Sequence, residues 1–204
     1  YLIACDPVVE CTAGEHDYGF RMYRSSQDVI RDIVSHFGFE SGRIYFLKSD
    51  VKQCFDHLSH DWILKHAPMN RKLLKRVLKC GYCWNGKFHE TNEGVPQGGV
   101  LSPCMTSLCL NGFERVMYPK FGDDACMVRF VDDFLFAGVS PAVLEEVKKE
   151  LVAFLAERGL TISEEKTIIG SIYDGVDYIG WHIQRDENGV QLSPTQMSID
   201  ELTH

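Results

Sequence analysis

The sequence predicts an α+β fold. Apolar residues recur at helical spacing in some segments, as in Val143, Leu144, Val147, Leu151, Phe154 and Leu155. Short aromatic and β-branched runs, such as Arg43 to Val51, read instead as strands. Asn85-Gly86, set between alternating residues, signals a tight hairpin, so some strands pair antiparallel. Helices mixed with antiparallel strands define the class. With 204 residues, 45% of them hydrophobic, the chain can bury one core with a lobe attached.

In chain order, residues 1–24 read as irregular. Ser25 or Ser26 caps a helix that runs to about Phe37, with Val29, Ile30, Ile33 and Val34 on one face. The strand Arg43–Val51 comes next, then a mainly helical stretch from Leu58 to Leu78, interrupted near Pro68. The hairpin spans Tyr82 to His89. Gly94-Val95-Pro96-Gln97-Gly98-Gly99-Val100 is a loop, and one long apolar helix is expected from Leu101 to about Tyr118. Met127 to Gly138 forms two apolar runs split by Asp132-Asp133. Pro141 opens a helix to about Arg158. Strands are expected at Leu160–Ser163, Lys166–Gly170, Asp177–Gln184 and Val190–Leu192. No repeat or linker divides the chain, so residues 1–204 read as one domain.

Composition excludes some classes. No run approaches the roughly 18 apolar residues of a membrane span. The net charge of -8 argues against a nucleic-acid partner when taken alone, although a carboxylate metal site adds negative charge by design. The eight cysteines are scattered among apolar neighbours, as buried thiols of a reducing compartment would be. Cys80-x-x-Cys83 has metal spacing but no second pair near it. The opening Tyr1-Leu2-Ile3-Ala4-Cys5 and the closing Ser193–Met197 run read as cuts through a longer protein.

The chemistry lies in the acids. Asp132 and Asp133 sit between Met127–Val131 and Phe134–Ala137, where two ionised carboxylates are costly without compensation. In a regular strand they would face opposite ways; a two-residue turn brings both to a hairpin tip. A solvated turn explains them equally well. Asp50, at the end of another strand, changes the weighing. If the two strands are neighbours, the three carboxylates meet and can hold Mg²⁺ through hard oxygen ligands. Asp56 reads as a turn residue.

Six segments then resemble, in order, the motifs of reverse transcriptases. Tyr18-Gly19-Phe20-Arg21 with Arg24-Ser25 resembles the finger segment of group II intron maturases. Asp50-Val51-Lys52-Gln53-Cys54-Phe55-Asp56 is similar to the first catalytic motif, Gly94–Pro103 to the proline–glutamine–glycine motif, and Phe130-Val131-Asp132-Asp133 to the Tyr-X-Asp-Asp box. Leu160–Thr167 resembles the next motif and Tyr178-Ile179-Gly180-Trp181 the primer-grip hairpin. Phe130 stands for the usual Tyr and Val131 for a small residue. The finger segment, Gly98-Gly99 and Ser163–Thr167 favour the group II intron branch.

The resemblance implies the fingers and palm of a right-hand polymerase, an antiparallel palm sheet packed on helices, with upstream finger residues, thumb and maturase domain lying outside this stretch. It implies an RNA-directed DNA polymerase that joins dNTPs to a DNA or RNA primer on an RNA template, here a group II intron RNA, and that aids splicing and mobility. Alternatives are a non-catalytic splicing maturase, a retron or defence reverse transcriptase, and a two-metal nuclease. Two Mg²⁺ ions, with Mn²⁺ as a substitute, fall to Asp50, Asp132, Asp133 and the backbone of Val51. Lys166 is implied at the triphosphate, Phe55 beneath the sugar, Gln97 and Gly98 at the nucleotide, and Arg21 and Arg24 at phosphates. For the two arginines, pairing with Asp17 or Asp28 is the competing reading. Tyr178, Gly180 and Trp181 are implied at the primer end, with Trp181 equally at home in a core. A bacterial cytoplasmic or organellar setting and a homodimer complete the expectations.

Overall fold

The computed structural model describes residues 2–202. Helix α1 spans Leu2–Thr12, where the sequence reading placed irregular chain. Pro7 lies inside it and its apolar pattern is weak, so local propensity did not reveal it. Tertiary contact stabilises it: Cys5 and Val9, one turn apart, are buried in the main core, and the Asn111 amide donates to the Val9 carbonyl at 3.0 Å. Helix α2, Ser26–His36, starts as predicted; Ser25 and Asp28 form a reciprocal capping box.

Strand β1, Tyr45–Asp50, is followed by the short helix α3, Cys54–His57, then α4, His60–His66, and α5, Arg71–Leu78. Strands β2, Tyr82–Trp84, and β3, Lys87–His89, form the predicted hairpin, with Asn85 and Gly86 at φ 49° and 73° in its turn. The single helix expected from Leu101 is two: α6, Ser102–Leu110, and α7, Phe113–Phe121. Asn111 is extended and Gly112 adopts φ 93°, a left-handed conformation that ends the first helix.

Strands β4, Ala125–Phe130, and β5, Asp133–Gly138, make a hairpin, and α8, Pro141–Ala156, crosses behind it. Leu160–Ser163 is not a strand; it follows the end of β1 through an isolated bridge between Val51 and Ile162. Glu164–Lys166 is a single 3₁₀ turn, so β6 begins late, at Ile168–Ser171. The one strand expected over Asp177–Gln184 is a hairpin of β7, Val176–Tyr178, and β8, Trp181–Asp186, turned by Ile179 and Gly180 at positive φ. Strand β9, Gly189–Pro194, completes that sheet and α9, Gln196–Leu202, follows.

The principal sheet has the order β4-β5-β1-β6, with every pairing antiparallel. Alternation along its strands feeds two cores. Leu47, Met127, Phe134 and Phe136 face α6, α7 and α8. Phe46, Val128, Leu135 and Ala137 face α2 and the three-stranded sheet, where Tyr178 and Ile183 are buried. Both faces being covered, the sheet's polar business is confined to its ends.

Candidate active site

The carboxylates gather at one corner of this sheet. Asp50 ends β1 and Asp133 begins β5, and the two are direct cross-strand partners. Like charges so placed repel. The turn joining β4 to β5 is Val131-Asp132, one residue earlier than the expected Asp132-Asp133 tip, because Asp133 already pairs with Phe130. This register sends Asp132 to the tip and Asp133 into the sheet. Burial pushes the Asp133 carboxyl up to about 6, helped by the charges of Asp132 and Asp50. Asp132 is raised too, again mainly by burial. The Lys166 ammonium lies 3.0 Å from Asp50 Oδ2, and that bond raises its own pKa.

The turn is held from three directions. Val131 adopts φ 58°, a conformation that costs a β-branched residue of the order of 1–2 kcal/mol. From below, the Arg129 guanidinium donates to the Val131 carbonyl at 2.8 Å, to Asp17 Oδ1 at 2.7 Å and to Asn111 Oδ1 at 2.7 Å. Burial alone would raise Asp17; the Arg129 charge and hydrogen bond outweigh it and keep the acid ionised. From the side, Gly19 lies so close that a Cβ would fall 2.3 Å from the Val131 nitrogen. From the other face, the buried Tyr178 hydroxyl donates to the Asp133 carbonyl at 2.8 Å. Sequence reasoning missed Arg129 and Asn111, and it named Asp17 only as a partner for Arg21 or Arg24 and Gly19 only within the finger segment. A lone Arg in the run Met127–Val131 was the available signal, since a charge in an apolar strand must find a partner.

The remaining predicted residues divide. Val51 is buried beside Asp50, and its N–H donates to the Asp132 carbonyl at 3.3 Å. Phe55 is half-buried on α3, edge-to-face with Phe20 at 6.4 Å between ring centroids. The Gly94 loop packs directly on this helix: Val95 N–H donates to the Phe55 carbonyl at 2.6 Å, and a Cβ on Gly94 would meet the Asp56 carbonyl oxygen at 2.4 Å. Gln97 and Gly98 are exposed on that loop, and Gln97 lines a cavity of about 690 Å³ together with Asp56, Tyr82 and Pro96.

Arg21 is occupied by the protein. Its guanidinium grips Glu10 with bonds of 2.6–3.0 Å and the Gly14 and Asp17 carbonyls at 2.7 and 2.6 Å, so its ion-pair partner is neither Asp17 nor Asp28. Arg24 is half-buried over the Tyr18 ring, 5.1 Å from its centroid. Tyr178 is sealed in the core, whereas Gly180 and Trp181, 37% exposed, stand at the surface turn. Among the described residues, no helix is long and apolar enough to cross a membrane. All eight cysteines are free.

Comparison with known proteins agrees with this architecture. Residues 5–183 match the family model for reverse transcriptase (RNA-dependent DNA polymerase). The chain is 31% identical over 120 residues to the group II intron-encoded protein LtrA of Lactococcus lactis subsp. cremoris, covering 55% of this chain and 19% of that one. It is 25% identical over 225 residues to protein YkfC of Escherichia coli strain K12, covering 90% and 59%. The chain thus spans less than two thirds of either relative. Its fold matches apo telomerase from Candida Tropicalis with a TM-score of 0.71 at 17% identity, over 94% of this chain and 45% of that one.

Proposed function

Because the chain belongs to the reverse transcriptase family, we propose that it forms the catalytic fingers–palm part of an RNA-directed DNA polymerase of the group II intron type. The observation that carries the reading is the backbone register, which brings Asp50, Asp132 and Asp133 to one sheet corner. The likeness to a group II intron-encoded protein supports the branch and an intron RNA as the template.

The donor set suits hard divalent cations: two carboxylates on adjacent strands and one in the turn beside them, two of the three with raised pKa values, and one lysine paired with Asp50. Mg²⁺ held by these acids and the Val51 backbone, or Mn²⁺ in its place, would supply the Lewis acid for in-line attack of a primer hydroxyl on a dNTP. Lys166, now on Asp50, is 65% exposed in its side chain and can swing toward the leaving pyrophosphate. Phe55, edge-to-face with Phe20, would stand beneath the sugar, where its ring would clash with a 2′-hydroxyl. Gln97 and Gly98 present amide and backbone groups to the nucleotide from a loop anchored on α3. Trp181 and Gly180 offer a surface for the primer end, which Tyr178 supports from within. Despite the net charge of -8, the stretch from Arg71 to Lys79 carries Arg71, Lys72, Lys75, Arg76 and Lys79 with no acid among them, a local field suited to a phosphate backbone.

The decisive test is RNA-templated primer extension with Mg²⁺ by the full-length protein, beside Asp132→Ala. Extension by the wild type and its loss by at least a thousandfold in the variant are expected. A wild type that binds intron RNA without extending a primer would make it a splicing maturase only; an active variant would refute the site.

A further inference from the structure

A second cluster lies away from these carboxylates and serves no step in the reading above. His16, Asp32 and His36 each present one ligand atom, and the three atoms lie within 4.8 Å of one another, as no other three His, Cys, Asp or Glu among the described residues do. Asp32 and His36 stand one turn apart on the same face of α2. His16 comes from the preceding segment. Its backbone is fixed on both sides, the N–H donating to Glu114 Oε1 at 2.9 Å and the carbonyl accepting from the Arg129 N–H at 2.9 Å.

We propose that His16, Asp32 and His36 form a Zn²⁺ site that pins α2 to the segment carrying Asp17. His16 Nδ1 is 2.7 Å from Asp32 Oδ2, and His36 Nε2 is 3.3 Å from Asp32 Oδ1. Zn²⁺ at about 2.0–2.1 Å from each of three tetrahedral ligands needs ligand atoms roughly 3.3 Å apart, which small rotamer shifts supply. The decisive atom is His36 Nε2. It is buried and makes no hydrogen bond, although Asp32 lies beside it. His16 makes a true hydrogen bond to Asp32, whereas His36 Nε2 stands only at ion-pair distance from the same carboxylate, outside hydrogen-bond geometry. A cation bound by both rings gives that lone pair its partner.

The surroundings suit such a site. The Tyr18 hydroxyl donates to Asp32 Oδ2 at 2.8 Å, which orients the carboxylate as an outer-shell partner does for a metal ligand. Two imidazoles and one carboxylate select a borderline transition ion over Mg²⁺. The fourth position is left to water. Because His16 adjoins Asp17, which pairs with Arg129 and so with the Val131 turn, metal here would brace the scaffold of the carboxylate corner without touching substrate.

The test uses metal-free full-length protein in excess Mg²⁺, which occupies the carboxylate corner. Titration with Zn²⁺ should show one tight site per chain, and Co²⁺ should give a tetrahedral visible spectrum without a thiolate charge-transfer band. Two hyperfine-shifted imidazole N–H signals are expected in the Co²⁺ form, a readout that needs no variant. Asp32→Asn and His36→Gln, checked for folding by circular dichroism, should each weaken Zn²⁺ at least tenfold. The proposal fails if wild type shows no such spectrum, if the band reveals sulfur ligands such as Cys80 and Cys83, or if folded His36→Gln binds as wild type does. None of these outcomes depends on polymerase activity, so the site stands or falls separately from the function proposed above.

Discussion

Removing one oxygen atom, in Tyr178→Phe, isolates the contribution of the inner sheet to the carboxylate corner. The Tyr178 side chain is fully buried, and its hydroxyl donates to the Asp133 carbonyl at 2.8 Å. A buried hydrogen bond contributes about 1 kcal/mol net, and a carbonyl left without its donor raises the loss to about 1.5 kcal/mol. For a chain of this size that is a fall in Tm of roughly 3–6 °C. The phenylalanine ring fills the same space, so no cavity contributes. The second effect is on geometry. The lost bond frees the residue that carries one of the acids, so kcat for primer extension should fall about tenfold while the KM for dNTP is unchanged. Thermal melts and steady-state extension measure the two effects, with Tyr173→Phe, on a half-exposed ring beside Arg185, as control. A Tyr178→Phe protein with unaltered Tm would refute the energetic argument. Unaltered kcat at lowered Tm would refute the link between the two sheets and the site.

Phe55→Ala should raise rNTP incorporation relative to dNTP by at least tenfold in competitive extension assays, since the wall under the sugar is gone; an unchanged ratio would remove its gating role. Asp133→Asn tests the electrostatics. The folded state raises this acid to about 6, so its protonated form stabilises the fold fully below the unfolded value near 4, and that stability is lost as pH rises through 6. The shift is worth at most about 3 kcal/mol, or roughly 2 kcal/mol after allowance for solvent screening. In EDTA at pH 7.5 the Asn variant should therefore unfold at higher urea than wild type, with the gap vanishing at pH 4 and narrowing when Mg²⁺ is added. Equal midpoints at both pH values would show that burial and the neighbouring acids put no such penalty on the ionised Asp133.

The elements that local chemistry dictates were legible: the Ser25 cap, the Asn85-Gly86 turn and the Pro141 start; the pairing of the Asp50 strand with the Asp133 strand entered only as a condition, which the register fulfils. What escaped was decided by partners far along the chain. Helix α1 owes its existence to α6 and Asn111, a hundred positions away, and not to its own weak periodicity. The break between α6 and α7 follows from the same Asn111, whose side chain serves Val9 and Arg129. The turn was misplaced by one residue for a related reason. Reasoning from solvation put both acids at the tip, where water would cover them. The observed register instead pairs Asp133 with Phe130 and leaves it half-buried, with Arg129 holding the turn and the distant Tyr178 holding the Asp133 carbonyl.

That choice concentrates unfavourable terms at one place. Val131 is held left-handed, Asp50 and Asp133 are placed opposite each other, and Arg129 is a buried charge. Each alone would relax if its neighbours allowed. Val131 cannot, because Gly19 packs against its backbone and Arg129 holds its carbonyl. Asp133 cannot swing away, because Tyr178 holds the next peptide. Arg129 cannot leave, because Asp17 and Asn111 hold its other two edges. The corner is therefore fixed by groups outside the three acids, and in the proposed reading the charge held together there is what would attract cations. Substitutions at Gly19 or Arg129 should consequently damage activity as severely as changes to the acids themselves, although neither residue bears on the chemistry directly.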